Sequence, residues 1–171
     1  MLSASKRTTL FLSLVLTCVL LDQATKVLAQ SLLSWQPTVH FFGDTLRLQL
    51  VLNSGGVAGI GASSGDHTQS FFVGWNICVL GTIVAWGLVS KTRGPLGVVA
   101  AGLVFSGGLG NILDRLLIGG VIDFINLNVF GLRTAVFNVA DMFIVGGLAV
   151  LLVSLAQERR TLARRHVGQG V

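Results

Sequence analysis

The chain has 171 residues, of which 52% are hydrophobic and only 11% charged, and its mean hydropathy is +0.79. A water-soluble domain carries roughly 25% charged residues, so soluble globular, disordered and nucleic-acid-coating classes are excluded despite a net charge of +5. Basic residues in so apolar a chain serve instead to orient it in a membrane.

Four stretches reach the roughly 20 apolar residues that a spanning helix needs: Thr9–Leu28, Phe71–Ser90, Leu96–Leu113 and Val136–Ala156. The first follows Lys6 and Arg7 and could be read as a cleavable secretory signal. Its apolar run ends in Asp22-Gln23-Ala24-Thr25-Lys26 instead of a small-residue cleavage site, which favours a retained span. Cys18 and Cys78 lie inside apolar runs without C-x-x-C spacing and read as membrane-buried thiols.

The segment 29–70 follows. Within it Thr45-Leu46-Arg47-Leu48-Gln49-Leu50 alternates polar and apolar, the period of a half-buried strand, and then meets a turn at Asn53-Ser54-Gly55-Gly56. Asp44, Arg47 and Asp66 read as solvated loop charges, and His40 and His67 lack ligand spacing. After the second span, the third carries Gly102, Ser106 and Gly110 at every fourth position, a small-residue stripe that admits a close helix neighbour. One turn further the stripe reaches Asp114, beside the row Gly107, Asn111 and Arg115. An exposed charge in lipid costs at least about 2.5 kcal/mol, so this polar cluster should face the bundle. Asp114 and Arg115 fit a structural network and a functional site equally well.

In the segment 114–135, Val121-Ile122-Asp123-Phe124-Ile125 sets an acid in a buried strand pattern. A small sheet against the membrane surface is expected. The fourth span opens Phe137-Asn138-Val139-Ala140-Asp141, with Asn138 and Asp141 on one face and a helix dipole that favours a carboxylate. Either residue could cap the helix, although capping accounts for one more readily than for both. The tail 157–171 carries Arg159, Arg160, Arg164 and Arg165.

Lysine and arginine counts set the orientation. With the N-terminus cytoplasmic, eight basic residues lie inside (Lys6, Arg7, Lys91, Arg93 and the four tail arginines) against four outside (Lys26, Arg47, Arg115, Arg133). The expected fold is therefore a single all-α membrane domain of four transmembrane helices, both termini cytoplasmic, with a small extracytoplasmic β element. Asp22, Asp44, Asp66, Asp114, Asp123 and Asp141 then fall at or near the outer face, with only Glu158 inside. Apolar flanks should raise the pKa of Asp123, and two carboxylates in contrasting environments, if they meet, make an acid and a base around one water. The spacing of the histidines supports no metal site.

The blocks Leu21-Asp22-Gln23-Ala24-Thr25-Lys26, Asn53-Ser54-Gly55, Gly108-Leu109-Gly110-Asn111-Ile112-Leu113-Asp114-Arg115, Val121-Ile122-Asp123-Phe124 and Phe137-Asn138-Val139-Ala140-Asp141 resemble, in this order, the motifs of bacterial lipoprotein signal peptidases (signal peptidase II). The likeness runs from about Thr9 to Ala156. It implies an intramembrane aspartyl endopeptidase, without cofactor, that acts at the outer face of the bacterial cytoplasmic membrane. Its substrates would be diacylglyceryl-modified prolipoproteins, cut just before the lipidated cysteine. By the same resemblance Asp123 and Asp141 are the catalytic pair. Asn53, Asn111, Asp114, Arg115, Asn138 and Ala140 shape the site or contact substrate. Asp22 matches a more peripheral, structural acid with Lys26 as its partner. The resemblance also implies that the outer elements form a β-cradle with a mobile segment over the site and that globomycin-type inhibitors occupy the cleft; a monomer is expected, and the tail arginines, read as an orientation anchor, call for no nucleic-acid partner. One departure stands out: Asn53-Ser54-Gly55-Gly56-Val57-Ala58-Gly59 has Val57 and Ala58 where the family shows N-x-G-x-A-F, which puts the packing of Val57–Gly61 over a substrate in doubt. The rivals from other classes are a small proton-coupled carrier and a non-catalytic assembly subunit. Acids gathered at one face with no internal repeat count against the carrier. The acids at 123 and 141 have no place in the assembly subunit.

Overall fold

A computed structural model describes residues 2–54, 81 and 94–168, with side chains described as far as residue 160. The predicted second span Phe71–Ser90 (apart from Gly81) lies outside the described residues, as do Val57–Gly61, Asp66, His67 and Cys78. Three described helices are long and apolar enough to cross a membrane, and a four-stranded antiparallel sheet accompanies them. The chain thus has a mostly helical, membrane-type fold.

Helix α1 spans Ala4–Leu33, longer at both ends than the apolar run Thr9–Leu28. Ser3 caps it, its Oγ accepting the Lys6 N–H at 3.4 Å. Apolarity marks where lipid begins, whereas the helix continues as long as its backbone bonds do. Helix α2, Pro95–Ile118, begins with proline at its first turn, where the missing N–H is unneeded. It ends at Gly119, whose φ of +76° suits glycine. It therefore extends past the predicted end at Leu113 and carries Asp114 and Arg115 on its last turn. Helix α3, Val139–Gly168, starts three residues after the predicted Val136.

The strands are β1 (Val39–Phe41), β2 (Leu46–Asn53), β3 (Val121–Val129) and β4 (Leu132–Arg133), in the spatial order β1-β2-β3-β4. In register Leu46 faces Leu127 and Asn53 faces Val121, with an irregularity between Leu48 and Val51. Asn53 is thus the last residue of a strand, not the first of a turn. Pairing with Val121 holds it there although glycines follow.

Small residues set the helix spacing. A Cβ at Gly107 would overlap the Ala140 carbonyl, and one at Gly110 would stand 2.5 Å from Asp22 Oδ2. Gly102 meets Leu14, and Gly147 meets Val104. The Gly102/Ser106/Gly110 stripe is thus filled by α1 and the Gly107 row by α3, both within this chain. Leu12, Leu16, Leu20, Leu28 and Leu32 of α1 and Val145, Leu148 and Leu152 of α3 remain exposed, as lipid-facing surfaces must. Ala29, Ile122 and Phe124 cluster with Leu33, Leu50 and Val139, which seats the sheet on the end of α1.

Candidate active site

The site forms where α1, the end of α2, the start of α3 and the inner end of the sheet converge. Its centre is the start of α3. Asn138 is the N-cap: its Oδ1 accepts the Asp141 N–H at 3.0 Å, while Asp141 Oδ2 accepts the Asn138 N–H at 3.1 Å. This is a reciprocal capping box, so capping involves both residues, contrary to the sequence expectation. It leaves Asp141 Oδ1 and the Asn138 Nδ2 amide free to face the core.

Asn138 Nδ2 lies 2.7 Å from Asp123 Oδ1, 3.1 Å from Asn111 Oδ1 and 3.2 Å from the Ile122 carbonyl oxygen. Asp123 Oδ2 accepts from Asn53 Nδ2 at 3.0 Å, which the pairing of Asn53 with Val121 makes possible. Asp141 Oδ1 accepts from Asn111 Nδ2 at 2.9 Å. Asp123 and Asp141 are therefore brought together around one asparagine, and all four of their oxygens receive N–H donors that are electrically neutral.

Beneath this pair lies a buried ionic layer. Lys26, 1% exposed, sits 2.8 Å from both Asp22 Oδ2 and Asp114 Oδ2 and donates to Asn111 Oδ1 at 3.1 Å. That last bond fixes which way the Asn111 amide points, because an oxygen engaged by Lys26 and Asn138 leaves the nitrogen facing Asp141. Asp22 is fully buried, and its Oδ1 accepts the Ala140 N–H at 2.9 Å. It thus satisfies one of the orphan donors at the start of α3. Asp114 Oδ2 also takes the Ile122 N–H at 3.1 Å. Ile122 is tied through its N–H to α2 and through its carbonyl to Asn138, which sets the strand position of Asp123. Gln23, unassigned from sequence, donates to Asp114 Oδ1 at 3.0 Å and Asp22 Oδ2 at 3.2 Å. A polar residue inside a span needs partners, and that was the signal available for it. Arg115 Nη1 donates to the Asn111 carbonyl at 3.1 Å, and its charge acts on Asp123, Asp141 and Asp114.

The electrostatics of Asp123 follow from this packing. It is 3% exposed, and burial pushes its pKa up to about 6. The Asn53 and Asn138 hydrogen bonds oppose that rise, while the Asp141 charge adds to it. Asp44, at the opposite end of the sheet, is not the solvated loop charge expected. It accepts from Arg47 Nε and Nη2 at 2.7 and 2.6 Å, contacts His40 Nδ1 at 2.6 Å, and accepts from Arg133 Nη2 at 2.7 Å. Among the described residues no group of three or more His, Cys, Asp or Glu side chains is arranged to hold a metal.

Apolar helices long enough to span a membrane converge on two amide-bridged carboxylates, Asp123 buried and Asp141 half-buried, which defines a membrane-embedded protein with a paired-acid centre at one end of its bundle. A family model described as Signal peptidase (SPase) II matches residues 14–157. A lipoprotein signal peptidase of Hydrogenovibrio crunogenus is 36% identical over 90% of this chain and 87% of its own length. One of Cupriavidus necator is 33% identical over 96% of this chain and 90% of its own. A solved bacterial membrane enzyme, determined by the in meso method at 2.3 Å, superposes with a TM-score of 0.73 at 26% identity, over 87% of this chain and 88% of that one. The chain belongs to the signal peptidase II family and is a membrane-bound peptidase.

Proposed function

We propose that this protein is an intramembrane aspartyl endopeptidase that removes the signal peptide from diacylglyceryl-modified prolipoproteins, cutting just before the lipidated cysteine. The observation that carries the reading is the pairing of Asp123 and Asp141 across Asn138, in a chain of a family whose relatives are named lipoprotein signal peptidases. In the proposed cycle one proton is shared by the pair. The ionised carboxylate takes a proton from a water molecule, and the protonated one donates to the scissile carbonyl as the water oxygen attacks its carbon. Collapse of the tetrahedral intermediate breaks the C–N bond: the proton first removed from water goes to the departing nitrogen, and the proton lent to the carbonyl oxygen returns to the pair, which restores its one shared proton. With its pKa pushed up to about 6, Asp123 is the better holder of the shared proton. Asp141 is then the base.

Asn53 and Asn111 hold the outer carboxylate oxygens without adding charge, so the pair can exchange protons. Asp22, Lys26 and Asp114 frame the start of α3, and Arg115 offsets the acids' charge. The chain is read as one integral-membrane domain of four spans with both termini cytoplasmic. Its site then lies at the outer face of the bacterial cytoplasmic membrane, open to globomycin-type inhibitors, and the enzyme works as a monomer without a cofactor. The test is a gel-shift cleavage assay in detergent, with lipidated and unlipidated prolipoprotein, using wild type and Asp141→Asn. Lipid-dependent cleavage by the wild type alone is expected. Cleavage by both enzymes would move the base elsewhere, and none by a folded wild type would overturn the reaction.

A further inference from the structure

The outer end of the sheet carries a surface that the acid pair does not use. Pairing of Leu46 with Leu127 and of Val129 with Leu132 sets the β1–β2 and β3–β4 turns side by side, at the end opposite Asn53 and Val121. Each turn presents a phenylalanine. Phe42 is 82% exposed and Phe130 is 100% exposed, and both stand at left-handed backbone angles, φ +53° and +52°. Glycine or asparagine sits there with little strain, whereas a bulky side chain does so only against steric resistance. A strained and fully exposed aromatic ring gains nothing from water, so its place implies an apolar partner. Leu132, 78% exposed, extends the same surface.

Directly behind these rings Arg47 and Arg133 converge on the single carboxylate of Asp44, with His40 alongside. Two guanidiniums against one carboxylate leave the turn end net positive. The sheet also stays near the ends of the spans, because only short connections join Leu33 to Val39, Ile118 to Val121 and Arg133 to Val139. Trp35, 95% exposed, leaves α1 at that same end. Its ring type is the one enriched at membrane interfaces. The turns thus present exposed apolar rings on a sheet held near the ends of the spans, and their charge complements an anionic headgroup layer.

We propose that the paired turns form a membrane-interface anchor, with Phe42 and Phe130 inserted among the upper acyl chains of an anionic phospholipid leaflet and Arg47 and Arg133 at the level of its phosphates. The anchor does not depend on the proposed reaction. Its test uses the full chain reconstituted in nanodiscs of phosphatidylcholine with or without phosphatidylglycerol. The emission that Phe130→Trp adds over the wild type should be blue-shifted in the bilayer and quenched by brominated acyl chains. Hydrogen exchange over 40–47 and 126–134 should be slower in phosphatidylglycerol nanodiscs than in detergent. In Phe42→Asn/Phe130→Asn, whose turns are relieved of strain, that protection should vanish while the detergent melting point holds or rises. Arg133→Gln should reduce the preference for the anionic lipid by about fivefold, the equivalent of one basic residue near such a surface.

An added tryptophan that iodide quenches freely, and that brominated lipid leaves untouched, would overturn the proposal. So would protection that tracks protein concentration instead of lipid, since a second copy would then be the partner.

Discussion

Two aspartates of one small sheet meet opposite fates. Asp44, at the outer turns and about a third exposed (36%), is held well below the usual carboxylate range by Arg47 first and by His40 next. Asp123, at the inner end and 3% exposed, is pushed up to about 6 by burial. Asp44 has four hydrogen-bond contacts and Asp123 two, but the count does not decide whether the proton can leave. The donors do. Guanidiniums around Asp44 fix its charge, and the carboxylate serves as a staple between strands and turns. Neutral amides around Asp123 fix its position and leave the proton exchangeable, which is what acid–base work requires.

The largest test of this contrast is chemical. Asp123→Asn and Asp141→Asn should each lower prolipoprotein cleavage by about 10³-fold or more while the protein still inserts. Near-normal turnover by either variant in the gel-shift assay would break the assignment. Lys26→Met comes next, because it strands two buried carboxylates, and losing one partner of a buried ion pair costs about 3–5 kcal/mol. Its thermal unfolding midpoint should fall sharply, and adding Asp22→Asn should recover part of the loss.

A third prediction concerns pH. A folded-state pKa raised from 3.8 to about 6 means that Asp123 favours folding below its ordinary pKa and that this contribution is lost as pH rises through about 6. Asp123→Asn escapes the loss. Its stability relative to wild type should therefore increase between pH 4 and pH 7 by about 2–3 kcal/mol, read from unfolding at both pH values. A difference that stays flat with pH would show that burial does not shift this group. Smallest of all is Asp44→Asn, which should change cleavage by less than about twofold and lower the melting point slightly, an effect that added salt masks. A large loss of cleavage would show that the two ends of the sheet are linked.

Much of this was legible in the sequence, for reasons that differ by residue. Asn138 and Asp141 are three positions apart at a helix start, so local geometry alone places them together. Asp123 announces itself as an acid among Val121, Ile122, Phe124 and Ile125. Asp22 was harder, because its partner at Ala140 lies 118 residues away, and nothing in a helical polar run indicates a backbone N–H on another helix as its target. Arg133 reaches Asp44 across 89 residues for the same reason. Asn53 reads as a turn residue beside Gly55 and Gly56, a local signal that pairing with Val121 overrides. Hydropathy marked the lipid-facing middle of each helix and stopped where polar residues such as Asp114 and Arg115 interrupt the apolar run, although the helix continues to Ile118.

The corner after α2 has a mechanical consequence. Gly119 and Gly120 alone separate that helix from the strand bearing Asp123, and Asp114 on the last turn grips the Ile122 N–H. The acid pair is thereby bolted to the end of a rod about 36 Å long. In a bilayer of different thickness the rods tilt, and the acid pair rises or sinks with their ends. On the proposed reaction, lipid chain length thus becomes a setting of the blade's depth, chosen by the membrane and not by the protein.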